Sequence, residues 1–333
     1  MKNSSHPILI LGANGFMGSH LSRGLLDQGQ RVRAFSRRFD RDEIEKLGDA
    51  NLLEIHEASV FDQPALMKAL DGVSTVVNLL TFSVPSSAPG NLQGEITTTF
   101  QANNLLLSAM IEAGVKRLVF PSSGGTIYGD IANRAATEDD PAMPLNSHGL
   151  GKLIGEEMIR FYNRVHGLDY LILRISNAYG AARIRRVSQG VIDVFLEELR
   201  AGRPLNVWGS LDLVRDYIFI DDLIDVFLKL LRQDSLGSPT LNIGSGKGTS
   251  LREVIDVMAD VTGLTPKIQF ADDKFAGVSH SVLNTERLRA LIDWSPKYDL
   301  RKGIRETWKR KRESNSVTSA LKESVISPNR VSK

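Results

Sequence analysis

A chain of 333 residues, 42% hydrophobic and 24% charged, has the make-up of a globular protein large enough for two domains. It contains no cysteine, which excludes disulfides, thiolate nucleophiles and Cys-ligated zinc or iron–sulfur centres. The net charge of +2 conceals a division: residues 310–333 carry six Lys/Arg against two Glu, so the body is slightly acidic and nucleic-acid binding is not expected.

The opening MKNSSHPILI has one lysine ahead of a very short apolar run, unlike a signal peptide. No run nears the ~18 apolar residues of a membrane span, so a cytoplasmic protein is the expectation. PILILG then reads as a buried first strand, and NGFMGSHLSRGLLDQG as a helix ending at Gly29. RVRAFS and NLLEIH are the second and third strands. DQPALMKAL is a helix opened by Asp62, with Pro64 in its first turn. STVVNLL and VKRLVFPSS are the fourth and fifth strands, separated by a helix ending near Gly114. A helix carrying His148 and Lys152 follows, and LDYLILRIS is the sixth strand.

This alternation predicts an α/β fold, a doubly wound parallel sheet with helices on both faces, over residues 5–176. Beyond, the longer loops and scattered Gly and Pro predict a smaller, interleaved substrate-binding domain over 177–312. Residues 216–232, within DYIFIDDLIDVFLKLL, are expected to return to the first domain. Residues 313–333 are basic, Ser-rich and free of aromatics, and are expected to form a disordered tail.

GANGFMG sets Gly12, Gly15 and Gly18 between the first strand and its helix. The first glycine permits a tight turn, the second lets the backbone approach a pyrophosphate, and the third lets helix pack on strand. Asn14, Phe16 and Met17 complete a loop whose helix N-terminus offers N–H groups and dipole to phosphate. The second strand ends in Ser36, Arg37 and Arg38, with no acid before Asp40. An NAD site usually has a carboxylate there, and guanidinium groups bind phosphate well, so NADP is favoured over NAD.

Together with SSGGTIYG (122–129), HGLGK, LRISNAYG (173–180), VRDYIFIDD (214–222), LNIGSGKGTSLREV (241–254) and LIDWSP (291–296), this loop resembles the extended short-chain dehydrogenase/reductases. The specific likeness is to the NAD-dependent epimerase/dehydratase branch typified by UDP-glucose 4-epimerase. It implies a Rossmann-type sheet, nucleotide-sugar chemistry with a UDP-hexose as the expected substrate, and a homodimer formed by a four-helix bundle. It also implies that Lys152 grips the nicotinamide ribose, that Asn177 lies by the sugar nucleotide, that Arg215 binds its diphosphate, and that Lys274 stands where an arginine normally helps to seat the nucleotide. No metal site is expected.

The departures from the family pattern gather at the chemistry. His148 stands at the catalytic tyrosine position, Gly124 at the catalytic Ser/Thr position and Thr99 at that of a supporting asparagine. Ser59 replaces an aspartate that meets the adenine, and Gly277 an aspartate near the nucleotide. At i and i+4 on one helix, His148 and Lys152 share a face, so an imidazole can occupy roughly the phenol's place. Neutral imidazole accepts a proton without prior activation. Ser123, Thr126 and Tyr128 are close enough in sequence to replace part of the missing hydroxyl. Two readings follow: an epimerase or related keto-reductase with His148 as surrogate acid/base, helped by Lys152, Ser123 and Thr126, or a catalytically silent dinucleotide binder acting as sensor or assembly partner.

Overall fold

The computed structural model describes residues 6–40, 47–82, 92–131, 133–181, 190–233, 236–271 and 278–325, with side chains of the last helix as far as Glu313. Lys274, Gly277 and the basic run 183–186 lie outside the described residues.

Short, fully buried runs make the centre of the sheet. β1 (Ile8–Leu11) and β4 (Thr75–Asn78) are buried along their entire length, as strands covered on both faces must be. Around them lie β2 (Val32–Ser36), β3 (Leu53–Glu57), β5 (Arg117–Ser123), β6 (Asp169–Ile175) and β10 (Thr240–Ile243). All pair in parallel, in the order β10-β6-β5-β4-β1-β2-β3.

Helices close both faces: α1 (Phe16–Leu26), α2 (Gln63–Leu70), α3 (Leu92–Glu112), α4 (Ser147–His166) and α6 (Ile220–Leu231). Alternation along β1 sends Ile8 and Ile10 into one core with Leu21 and Leu25 of α1, and Leu9 and Leu11 into another with Leu66 of α2 and Leu106 of α3. The α2 start follows its sequence signal, the Asp62 carboxylate accepting the Ala65 N–H at 3.1 Å.

The remaining elements form the second domain: β7 (Asn177–Tyr179), α5 (Val191–Arg200), β8 (Leu205–Trp208), β9 (Val214–Phe219), β11 (Gly248–Ser250), α7 (Leu251–Thr262), β12 (Ile268–Ala271), β13 (His280–Ser281) and α8 (Glu286–Ile292). β9 pairs with β7, β11 and β13, and β8 pairs with β12. α6 packs on α1, where a Cβ on Gly24 would touch Ile224 and Leu228 at 3.1 and 3.2 Å. The segment 216–232 is thus split, its strand in the small sheet and its helix on the large one. The expected boundaries also leave β10, the seventh strand of the large sheet, in the wrong domain.

The last helix, α9 (Leu300–Val325), runs past residue 313, where a disordered tail is expected to begin. Just before it, two of the cations counted in the basic run 310–333 point inward. Arg310 makes two hydrogen bonds to Asp221, at 3.0 and 2.6 Å, and Lys311, only 2% exposed, has its ammonium 3.9 Å from Asp193. Among the described residues no helix is long and apolar enough to cross a membrane.

Candidate active site

The carboxyl ends of β1, β4 and β5 open into a cavity of about 2020 Å³ that continues between the two domains. That is room for two nucleotide-sized ligands, since a pocket for one small molecule is roughly 300–1,000 Å³. At one end lies the glycine loop. Gly12 adopts φ +81° against the main chain of Leu79, and a Cβ on Gly18 would stand 2.3 Å from the Gly12 carbonyl oxygen. Gly15 caps α1 with no side-chain hydrogen bond. The result is a bare backbone cradle at a helix N-terminus, which fits a dinucleotide pyrophosphate.

Gly12, Gly15, Phe16, Met17 and Gly18 line the cavity, whereas Asn14, Ser36 and Arg37 are not on its wall. Arg37 and Arg38 are exposed.

At the other end α4 supplies its first turns. Asn146 caps the helix by accepting the Gly149 N–H at 2.8 Å, and the Ser147 hydroxyl donates to Glu95 of α3 at 2.5 Å. His148, 9% exposed, faces the main cavity and also a small cavity of about 20 Å³ bounded by Thr99, Asn103, Phe120 and Lys152. Lys152 donates from Nζ to the Pro121 carbonyl at 2.8 Å and sits 5.0 Å from the centre of the Phe120 ring. Burial lowers its pKa to about 8, opposed by the negative charge of Glu156.

Beside them are two hydroxyls, Thr126 donating to Ser123 at 2.8 Å, both on the cavity wall. Tyr128 is not a third. Its phenol donates to Asn242 at 2.6 Å, Arg174 lies over its ring at 4.8 Å, and burial pushes its pKa up to about 12. It belongs to a buried structural network and not to the cavity wall, so it does not stand in for the missing hydroxyl as expected.

Gly124 is held closely. A Cβ there would stand 2.5 Å from Leu283 Cδ1 and 3.0 Å from the Arg174 carbonyl oxygen. Leu283, 1% exposed, takes the space that a side chain at 124 would enter. Thr99 packs against Gly151 of α4, at 3.6 Å from where its Cβ would lie. The asparagine of this region is Asn103, one helical turn on, which donates to the Thr99 carbonyl and accepts from Asn78. Ser59 receives the Phe61 N–H at 3.3 Å, a local turn contact.

On the substrate side, Asn177 and Arg215 line the same cavity as His148 and Lys152. Asn177 donates to the Asp216 carbonyl at 3.0 Å and faces Gly125, whose absent Cβ leaves the space between them open. The Arg215 guanidinium is fixed by three main-chain carbonyls, those of Val214, Val278 and Ser279, and burial lowers its pKa.

Sequence reading missed Asp216, fully buried, which accepts from the Ser245 N–H and hydroxyl, the Gly246 N–H and the Leu283 N–H. Its carboxylate ties the GSGKG loop and residue 283 to β9, and burial raises its pKa. Asn206 and Trp208 of β8 also face the cavity unannounced. Their only signal is alternation, with Leu205 and Val207 turned to the core.

A Rossmann sheet with a glycine cradle at one end of an interdomain cavity and a Lys/His pair at the other defines a dinucleotide-dependent short-chain dehydrogenase/reductase architecture. A family model for the NAD dependent epimerase/dehydratase family matches residues 8–244. The chain belongs to that family. It is 31% identical over 320 residues to a UDP-glucose 4-epimerase of Azospirillum brasilense, covering 90% of each chain. It is also 28% identical over 303 residues to a dTDP-4-dehydro-6-deoxyglucose reductase of Escherichia coli, covering 89% of this chain and 95% of that protein. Among solved structures, UDP-glucose 4-epimerase of Thermus thermophilus in complex with NAD superposes with a TM-score of 0.83 at 26% identity, over 92% of this chain and 99% of that one. These relatives support NAD and lend no support to the preference for NADP drawn from residues 36–38.

Proposed function

We propose that the chain is a nicotinamide-dependent sugar-nucleotide epimerase acting at C4 of a UDP-hexose through a keto-sugar, with His148 as its acid/base. The observation that carries this reading is that His148, Lys152, Ser123, Thr126, Asn177 and Arg215, drawn from four separate segments, line one cavity that ends at the glycine loop. A bare scaffold has no need of that convergence.

Gly12, Gly15 and Gly18 hold the dinucleotide pyrophosphate, and Lys152 its ribose hydroxyls. The bound dinucleotide supplies a hydride acceptor and donor. His148 accepts the proton of the sugar hydroxyl as the carbonyl forms and returns it after the sugar has turned over. An imidazole reaches less far than a phenol, so one water bridges ring and hydroxyl. The Lys152 ammonium stabilises negative charge on the reacting oxygen, and the Thr126–Ser123 pair offers it a hydrogen bond in place of a residue-124 hydroxyl. Arg215 and Asn177 hold the diphosphate and sugar. The likeness to a reductase adds a one-step keto-reduction as the nearest variant, in which dinucleotide is consumed in proportion to product. Exposed Phe100 on α3 and Phe161 on α4 support a homodimer through these helices.

The test is conversion of UDP-glucose and UDP-galactose by purified protein with NAD and with NADP, alongside His148→Ala. Retained dinucleotide binding with a rate loss of ~10²–10⁴ in His148→Ala supports the assignment. An unchanged rate removes the histidine from the chemistry. A second reading, a silent dinucleotide and sugar-nucleotide binder, is favoured by Leu283 filling the space beside Gly124. Wild-type protein that binds NAD yet converts no UDP-, dTDP- or GDP-hexose establishes it.

A further inference from the structure

α4 carries a third inward-facing polar side chain that the mechanism has not used. His148, Lys152 and Glu156 follow one another at four-residue intervals, so they stack along one face of the helix. Lys152 holds the Pro121 carbonyl, and Glu156, 0% exposed, accepts the Ser122 hydroxyl at 2.6 Å. Two successive turns of α4 thus grip two successive residues of β5. The next residue, Ser123, also lines the cavity and receives the Thr126 hydroxyl.

We propose that Glu156 is a positioning residue whose buried carboxylate sets a negative charge one helical turn from Lys152 and pins the Ser122–Ser123 edge of β5 to the helix that carries His148. For its functional consequence this rests on the reading of Lys152 as the lysine that holds cofactor ribose and stabilises the reacting oxygen.

Among the described residues, the groups around this pair leave Glu156 as the source of compensating charge. From β5, Lys152 meets a carbonyl and the face of Phe120. From α3, Thr99 and Asn103 lie against Gly151 and Gly155 and are uncharged, and the Glu95 carboxylate accepts the Ser147 hydroxyl at the start of α4, where His148 stands one turn before Lys152. Burial drives the ammonium toward its neutral form, and Glu156 is the charge that opposes this. The carboxylate is held in turn by cations, Arg174 of β6 through Nε at 3.1 Å and Nη2 at 2.8 Å, and Arg160 of α4 at 2.8 Å. Arg160 also reaches Thr240 of β10, and Arg174 covers the Tyr128 ring. Without Glu156, two guanidinium groups and an ammonium share one water-poor space, and Lys152 gives up its proton more readily.

The experiment is competitive acetylation of Lys152 across pH in ligand-free, full-length protein, read by peptide mass spectrometry, for wild type, Glu156→Gln and Glu156→Asp. Glu156→Gln lowers the labelling midpoint of Lys152 by about one unit or more. A one-unit drop leaves several-fold less ammonium at pH 8, so NAD affinity falls about fivefold at pH 8 and little at pH 6. Glu156→Asp, which keeps the charge but withdraws it by one methylene, moves the midpoint the same way by less. It carries the test if the glutamine variant does not fold. An unchanged midpoint in a folded variant overturns the proposal, whatever happens to thermal stability, because a merely structural glutamate alters melting and leaves Lys152 alone. The midpoint needs no substrate, so it stands or falls apart from the epimerase reading.

Discussion

The carbonyl oxygen of Thr126 lies 2.5 Å from where a Cβ on Gly149 would stand. Only the absence of that atom lets the first turn of α4 close on the hydroxyl loop, setting His148 beside Thr126 and Lys152 over Phe120. Gly155 repeats the device two turns later, its Cβ position 2.7 Å from the Phe120 ring.

Gly149→Ala therefore lifts α4 from the loop. Overpacking of this kind costs about 1–3 kcal/mol. Urea denaturation will show that loss. Turnover should fall further than stability explains, by roughly 10²-fold, since misplacing catalytic groups by an ångström has that effect.

Leu283 and Gly124 exclude one another's side chains. Restoring a hydroxyl by Gly124→Ser alone should destabilise the protein by about 1–3 kcal/mol and give no gain in turnover. In Gly124→Ser with Leu283→Ala, the serine has space, so the two losses combine to less than their sum by about 1 kcal/mol or more. Strict additivity would mean that the two side chains do not meet.

Lys152 exacts a cost in stability. Its pKa is about 8 in the folded protein and near 10.5 unfolded, so between these values the native state binds fewer protons and stability rises with pH. The cost is full below pH 8 and disappears above about 10.5. Lys152→Met should stabilise the ligand-free protein at pH 7 by on the order of 3 kcal/mol and weaken dinucleotide binding at the same time. Chemical denaturation at pH 7 and 10 reads the first effect, and a binding titration the second.

The Asp193–Lys311 pair behaves in the opposite sense. Burial pushes the Asp193 carboxyl up to about 6, so from its unfolded value near 3.8 up to 6 the native state holds the extra proton. Stability accordingly falls as pH rises through that window. Lys311→Ala removes the attracting charge and leaves a buried carboxylate with the N–H groups of Gly180 and Ala181. The variant should lose about 3–5 kcal/mol at pH 8 and less at pH 5. Denaturation midpoints at those two values compare the cases.

What could be read from the chain alone follows from which signals are local. Gly12, Gly15 and Gly18 lie within seven residues of one another, and Asp62 and Pro64 mark α2 in its own first turn. Each needs nothing beyond its neighbours to be recognised. Glu156 is halfway to that condition: its spacing from Lys152 and Arg160 is visible along one helix, but the Arg174 and Ser122 that also hold it come from other elements. Leu283 cannot be connected with Gly124 until β13 is paired with β9 and the segment after it meets the end of β5. Tyr128 misled because proximity in sequence says nothing about where a ring points, and its hydroxyl faces Asn242, 114 residues away. Arg310 and Lys311 misled in a similar way, since a basic run reads as solvated unless its acidic partners can be seen.

The late arrival of β10 has a consequence for how the molecule is made. A ribosome must pass residue 243 before the outermost strand of the large sheet exists, by which time β7, α5, β8, β9 and α6 have already emerged. Until then β6 presents an open edge, free to pair with a neighbouring nascent chain. The nucleotide-binding half thus cannot finish first and wait for its companion. The two halves are obliged to mature together.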